Sequence, residues 1–231
     1  MKVTQALVLV GGQATRLHAS SVEVPLSKSF LELAHKPLFH WNLMSLHQAG
    51  IRRLVIAAEK SPLLYAAEQV ISHHPCRFEQ VTYFQDEGLG VHGIPYHLRY
   101  LLDDTYIFDC GHSLSTPAHY KRLQLLRKEN LVVFSAFRSH PKNPRPLATA
   151  ASTRTIASHW ALAHPMVCTR AYARSLFDLD FDIRKAIVFY VKRKRLAYST
   201  GILPPEFDIA EELEIALNAY GQYLKKTAYT K

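Results

Sequence analysis

Residues 5–10, QALVLV, form a nearly continuous apolar run that stops at Gly11 and Gly12. A strand apolar on both faces must be covered on both faces, which is how an inner strand of a parallel sheet reads. The segments after the glycine pair keep to that architecture. Residues 37–49 place Leu38, Trp41, Leu43 or Met44, and Leu46 at helical spacing, with Pro37 suited to the first turn and Gly50 to the stop. RRLVIAAE (52–59) reads as a strand, and SPLLYAAEQVISHH (61–74) as a helix with Ser61 as its cap and Pro62 behind it. FEQVTYFQ (78–85) is a third strand, GIPYHLRYLL (93–102) a helix, DTYIFDCG (104–111) a fourth strand and residues 117–130 a helix. Such alternation predicts an α/β fold, a three-layer sandwich around a parallel sheet with right-handed crossovers.

The pattern loosens after LVVFSAF (131–137). Prolines and polar residues make 138–146 a loop, periodicity leaves 183–200 open between helix and strand, and 210–224 reads as a closing amphipathic helix. No linker divides the chain, so residues 1–231 are expected to form one domain. Its apolar content of 48% fills a core and argues against disorder. No apolar run approaches the roughly 18 residues that span a bilayer, and the N-terminus reads as a first strand rather than a signal peptide. Cys76, Cys110 and Cys168 lack metal or redox spacing; they read as small buried hydrophobes in a reducing cytoplasm. A net charge of +9 favours anionic partners. The densest basic run, VKRKRL (191–196), has no aromatic interleaved with its charges, so a solvated element end is expected there rather than a nucleic-acid contact.

The glycine pair is the first chemical signal. Glycines let backbone amides approach a phosphate closely, and ligands of open parallel sheets sit beyond the carboxyl ends of the strands. Arg16 and Lys28 would add positive charge to that rim. No serine-nucleophile elbow and no P-loop lysine is present.

The longer spacing is more telling. Gly11, Gly12, Thr15, Arg16, Leu17, Lys28, Leu31, and then Lys36, Pro37 and Leu38, resemble the signature of the sugar-1-phosphate nucleotidyltransferases, of the glucose-1-phosphate thymidylyltransferase type. The resemblance runs from residue 5 to about 125 and resumes near the C-terminus. It implies a Rossmann-like (GT-A-like) fold around a mostly parallel, mixed sheet, with a nucleotide-binding half over 1–130 and a variable acceptor-binding half over 131–231. The implied reaction is transfer of a nucleotidyl group from an NTP to a sugar 1-phosphate, or a related phosphorylated alcohol, with release of pyrophosphate. Arg16 would hold the leaving pyrophosphate, and Lys28 the α-phosphate or the attacking phosphate. Gln85 matches a glutamine that in some members pairs with thymine or uracil, and Gly88, Gly90 and Gly93 would let the backbone lie against base and ribose; His92 stands where the pattern has alanine. The implied partners are an NTP and a phosphorylated small molecule, with no membrane, and a homo- or hetero-oligomer is allowed.

The departures bear on magnesium, the cofactor the resemblance implies. The family's metal aspartate is replaced by His112, a poor ligand for a hard cation. Asp109, three residues upstream, should face the other side of an extended strand. His112 is left as a doubtful metal residue, in reach of His92 or His18 only if the rim brings them together. The second metal carboxylate matches Asp208 in PEFDIAEELEIAL, which reads equally as the N-cap of the last helix. Ala14 replaces a signature glycine, and the family's sugar motif is missing, with Arg170 and Arg174 as stand-ins for its phosphate ligand. Two readings stay open: a nucleotidyltransferase with an altered metal site, or a catalytically impaired homologue acting as a nucleotide-binding or regulatory partner subunit.

Overall fold

The computed structural model describes residues 2–12, 17, 26–128, 130–138, 160–193, 195–200 and 210–228. In chain order they form β1 (Gln5–Leu9), a 3-10 turn (Lys28–Phe30), the short pair β2 (Glu32–Leu33) and β3 (Lys36–Pro37), α1 (Leu38–Gln48), β4 (Arg53–Ala58), α2 (Ser61–Ser72), β5 (Gln80–Gln85), α3 (Gly90–His97), β6 (Thr105–Cys110) and α4 (Pro117–Leu126). Then come β7 (Val132–Arg138), β8 (Trp160–Thr169), α5 (Arg170–Asp178), α6 (Ile183–Lys192), β9 (Leu196–Thr200) and α7 (Ala210–Ala228). The stretch that periodicity left open at 183–200 is therefore a helix followed by a strand. Among the described residues no helix is long and apolar enough to cross a membrane.

One seven-stranded sheet runs in the order β5-β4-β1-β6-β8-β7-β9 and takes strands from both parts of the chain. The pairs β5–β4, β4–β1, β1–β6 and β7–β9 are parallel, and β8 runs antiparallel to both its neighbours. The apolar runs explain the layers. Ala6, Val8 and Val10 point to one face, where Phe39, Leu43 and Leu46 of α1, Leu63 and Ala67 of α2, and Tyr120 and Leu123 of α4 cover them. Leu7 and Leu9 point to the other, under Ile94 of α3, Tyr172 and Leu176 of α5, and Ala186 and Tyr190 of α6. A third cluster docks α7 through Leu213, Ala216 and Tyr220 onto Leu38 and Leu114, and the Tyr220 hydroxyl lies 3.0 Å from Ser45 Oγ of α1.

Two local expectations change. Ser61 does not cap α2 but is its first residue; Lys60 holds the cap position without a side-chain bond. Only Cys168 is buried among the three free cysteines, Cys76 and Cys110 being half-exposed.

Candidate functional site

The sheet order puts the change of winding direction between β1 and β6, because the chain builds outward from β1 through β4 to β5 and then returns to β6. Ligands of open α/β sheets bind in the crevice outside the carboxyl ends of the strands at such a point. That crevice lies between Gly11 and Gly12 after β1 and Gly111 and His112 after β6. The strand ends are tied across it by Gly111 N–H, which donates to Leu9 O at 2.7 Å, while Val10 N–H donates to Ala57 O of the neighbouring β4 at 3.0 Å. Gly12 is exposed, with a φ of 107° that a residue with a Cβ rarely adopts.

The turn that bears Lys28 is stapled to the end of β1. Ser27 Oγ donates to Val10 O at 2.8 Å and accepts from Ser29 N–H at 3.3 Å, so the 3-10 turn is pinned to the end of β1. It is then pressed against β6: a Cβ on Gly111 would stand 2.9 Å from Ser29 Oγ, 3.0 Å from Val10 Cγ1 and 3.1 Å from Phe39 Cδ2. Gly111 thus permits the contact that seats the Lys28 turn on the β6 rim. Arg16, its expected companion, lies outside the described residues, as do Thr15, His18 and Asp208.

At the next corner Gln85 ends β5, exposed, with its Oε1 accepting from Ser61 Oγ at 2.6 Å. The loop beyond is fixed by the buried Asp86, whose N–H donates to Ala58 O at 2.7 Å and whose Oδ1 accepts from Leu89 N–H at 2.7 Å. Gly90 opens α3 and Gly93 is buried within it. The ring of His92 stacks on His164 of β8, centroids 6.3 Å apart, and His164 meets Phe108 edge-on at 4.6 Å, beside the end of the β6–β8 pairing. Among the described residues no three His, Cys, Asp or Glu side chains are gathered as a metal ion would need.

Asp109 answers the question His112 raises. It is fully buried on the α1/α4 side of β6, the side of Ile107. Its Oδ2 accepts from Asn42 Nδ2 at 2.9 Å and from the Tyr120 hydroxyl, and its Oδ1 from Cys110 N–H at 2.8 Å. Burial raises its pKa above the ordinary carboxylate value, against the opposing pull of the hydrogen bonds around it. The same burial, with the charge of Asp109, holds the Tyr120 hydroxyl well above its usual range, as a donor. This carboxylate is taken up by core hydrogen bonds and does not stand at the rim as a metal ligand. The rim position itself offers the half-buried imidazole of His112. The described residues therefore do not fit a magnesium site of the aspartate kind.

Arg170 does not serve as a phosphate ligand at this rim. Because β8 runs antiparallel, its carboxyl end carries Arg170 to the amino end of β6, where the guanidinium donates to Leu102 O at 2.6 Å and pairs with Asp104 at 3.4 Å. Arg174 is exposed one turn further along α5. Asn42, Tyr120, Ser27 and Ser29 are the site-shaping residues that pattern reading passed over. The one signal for the first two was a carboxylate at an inward position of an otherwise apolar strand, which demands partners.

No protein-family model matches the chain. Mannose-1-phosphate guanylyltransferase catalytic subunit beta of Drosophila melanogaster, and its counterpart in Drosophila pseudoobscura pseudoobscura, are 39% identical over 67 residues, 29% of this chain. The match spans 16% of the length of those relatives. Solved structures match nearly end to end. A Bacillus anthracis protein described as a glucose-1-phosphate thymidylyltransferase has a TM-score of 0.70 at 15% identity, covering 95% of this chain and 96% of its own. A nucleotidyl transferase from Methanothermobacter thermautotroptrophicus gives 0.69 at 12%, covering 96% and 100%. The inositol-1-phosphate CTP transferase from T. maritima gives 0.68 at 16%, covering 97% of each chain. The chain has the Rossmann-like fold of the nucleotidyltransferases.

Proposed function

We propose that the chain binds a nucleoside triphosphate in the crevice between the ends of β1 and β6 and transfers its nucleotidyl group to a sugar 1-phosphate or a related phosphorylated alcohol. The observation that carries this reading is the seating of the Lys28 turn on both strand ends, through Ser27 and Gly111, beside the glycine pair. An oxygen of the acceptor phosphate would bond to the α-phosphorus as the bond to the β-phosphate oxygen breaks, and pyrophosphate leaves. Little covalent work falls to the protein; it holds anions in line and neutralises charge. Backbone amides at Gly11 and Gly12 would face the phosphates. Lys28 would meet the α-phosphate or the incoming phosphate, and Arg16 the leaving pyrophosphate. Gln85 and the backbone at Gly90 and Gly93 would bound the base. With its carbonyl engaged by Ser61, Gln85 presents its amide nitrogen as a donor toward a base carbonyl.

The names of the relatives and fold neighbours support a sugar or polyol phosphate acceptor. Among the described residues no aspartate is placed to hold a divalent ion at this rim, and Asp208, the second carboxylate that the resemblance offers, would be the one to hold it. The second reading, an impaired homologue that binds nucleotide without turning it over or serves as a partner subunit, is favoured by one specific observation: the carboxylate nearest to His112 in sequence is locked to Asn42 and Tyr120. Pyrophosphate release, measured across five NTPs with mannose 1-phosphate and glucose 1-phosphate as acceptors, separates them. Acceptor-dependent release supports transfer. Nucleotide binding with no release supports the second reading, and neither binding nor release rejects both.

A further inference from the structure

We infer that Asp109, acting with Asn42 and Tyr120, is a positioning residue that fixes the turn bearing Gly111 and His112 at the rim. The inference rests on the reading of that rim as a phosphate site. Packing alone does not ask for an aspartate here: Ile107 shares its face among apolar residues, and a buried carboxylate is costly unless every oxygen is satisfied. What the carboxylate adds is directional.

Pairing between β6 and β8 stops at Phe108 and Met166. Immediately beyond it, Cys110 N–H donates to Asp109 Oδ1 at 2.8 Å. The other oxygen reaches the far end of the turn through Asn42, whose Nδ2 lies 2.9 Å from Asp109 Oδ2 and 3.3 Å from Ser113 O. Tyr120 holds both members, donating to Asp109 and lying 3.0 Å from Asn42 Nδ2. Within the turn, Ser113 N–H donates to Cys110 O at 2.9 Å and Gly111 N–H to Leu9 O at 2.7 Å. The turn is thereby held at its start, at its end and against β1, with His112 at its apex and Gly111 turned toward the Lys28 segment. The carboxylate thus joins α4, through Tyr120, and α1, through Asn42, to the turn at the rim.

A core role and a positioning role come apart when stability is restored without the polar groups. In the triple variant Asp109→Leu, Asn42→Leu, Tyr120→Phe all three are replaced together by apolar groups of similar shape, a change that can be nearly neutral for stability. Hydrogen exchange of the Gly111 and Ser113 amides, read by NMR against Val55 of β4, should then be about tenfold faster or more at a urea midpoint close to that of the parent. Parent-like exchange at both amides in a parent-like fold would overturn the inference. If the triple variant does not fold, Asp109→Asn decides. It keeps an acceptor for Cys110 N–H but sets amide protons against Tyr120 and Asn42, so faster exchange confined to residues 111–113 is expected. Equal acceleration at Val55 would mean general destabilisation and would also overturn it. Neither readout uses nucleotide, so the two failures are distinguishable: a fixed turn that binds no NTP would reject the proposed function and with it the turn's role at a phosphate site, whereas a loose turn would reject the positioning by Asp109 alone.

Discussion

Ser29 and Gly111 lie so close that a methyl group on the glycine would stand 2.9 Å from the serine Oγ. Two segments far apart in sequence meet there, one bearing Lys28 and the other His112. Gly111→Ala must therefore displace Ser29, Val10 or Phe39, and overpacking of this kind costs about 1–3 kcal/mol. The urea midpoint should fall, and triphosphate affinity should fall with it because Lys28 moves off the rim. A variant with unchanged affinity would detach Lys28 from the site.

Lys28→Ala removes the charge while leaving the Ser27 staple in place. Affinity for a triphosphate should drop about tenfold, the equivalent of roughly 1.4 kcal/mol, with little change in thermal stability. Titration of the variant against a nucleoside and its triphosphate checks the assignment: the loss should appear only with the phosphates attached.

His112→Asp restores a hard oxygen donor at the rim. Magnesium should then strengthen nucleotide binding more in the variant than in the parent chain, by about tenfold where a charge-assisted contact is gained. His112→Ala should show no such gain. Equal magnesium dependence in the parent and in His112→Asp would mean that the ion is held elsewhere.

Acid should destabilise the fold earlier than carboxylate titration alone would. His119 is held down to about 4, first by burial and then by Arg122, while its Nε2 lies 2.8 Å from Ser135 Oγ; that hydroxyl donates to Pro165 O, so the imidazole donates to it. His40 is likewise held to about 4, first by burial and then by His74 and Lys36. Both stay neutral in the folded chain while the unfolded chain protonates near 6.5, so stability is lost as pH falls from about 6.5 toward 4. For His119 the loss approaches about 3 kcal/mol at roughly 1.4 kcal/mol per unit. Asp109, raised by burial, works in the opposite direction at the acid end. Urea midpoints at pH 7.5, 6 and 5 test this: they should decline, and less steeply in His119→Gln. A flat profile would contradict it.

Much of the frame was legible because burial writes itself into composition. A strand covered on both faces has to be apolar throughout, as at 5–10, and a helix on a sheet has to repeat its apolar face, as at 37–49. The helix–strand boundary inside 183–200 was not legible, because α6 and β9 are both short and basic at their junction and neither period has room to develop. The alternation rule placed Asp109 on the face away from the rim, but not its partners: Asn42 and Tyr120 come from two helices separated from it by 67 and 11 residues. Arg170 misled for a topological reason, since only the antiparallel course of β8 sends that arginine to the wrong end of the sheet.

The most direct test is calorimetric titration of the chain with ATP, GTP, CTP, UTP and dTTP, each with and without magnesium. Micromolar affinity for one of them, reduced by Lys28→Ala, is the expected result. Magnesium dependence in the parent would then favour transfer over binding alone. No affinity better than millimolar for any nucleotide, under either condition, would contradict the assignment of the crevice between β1 and β6 as a nucleotide site.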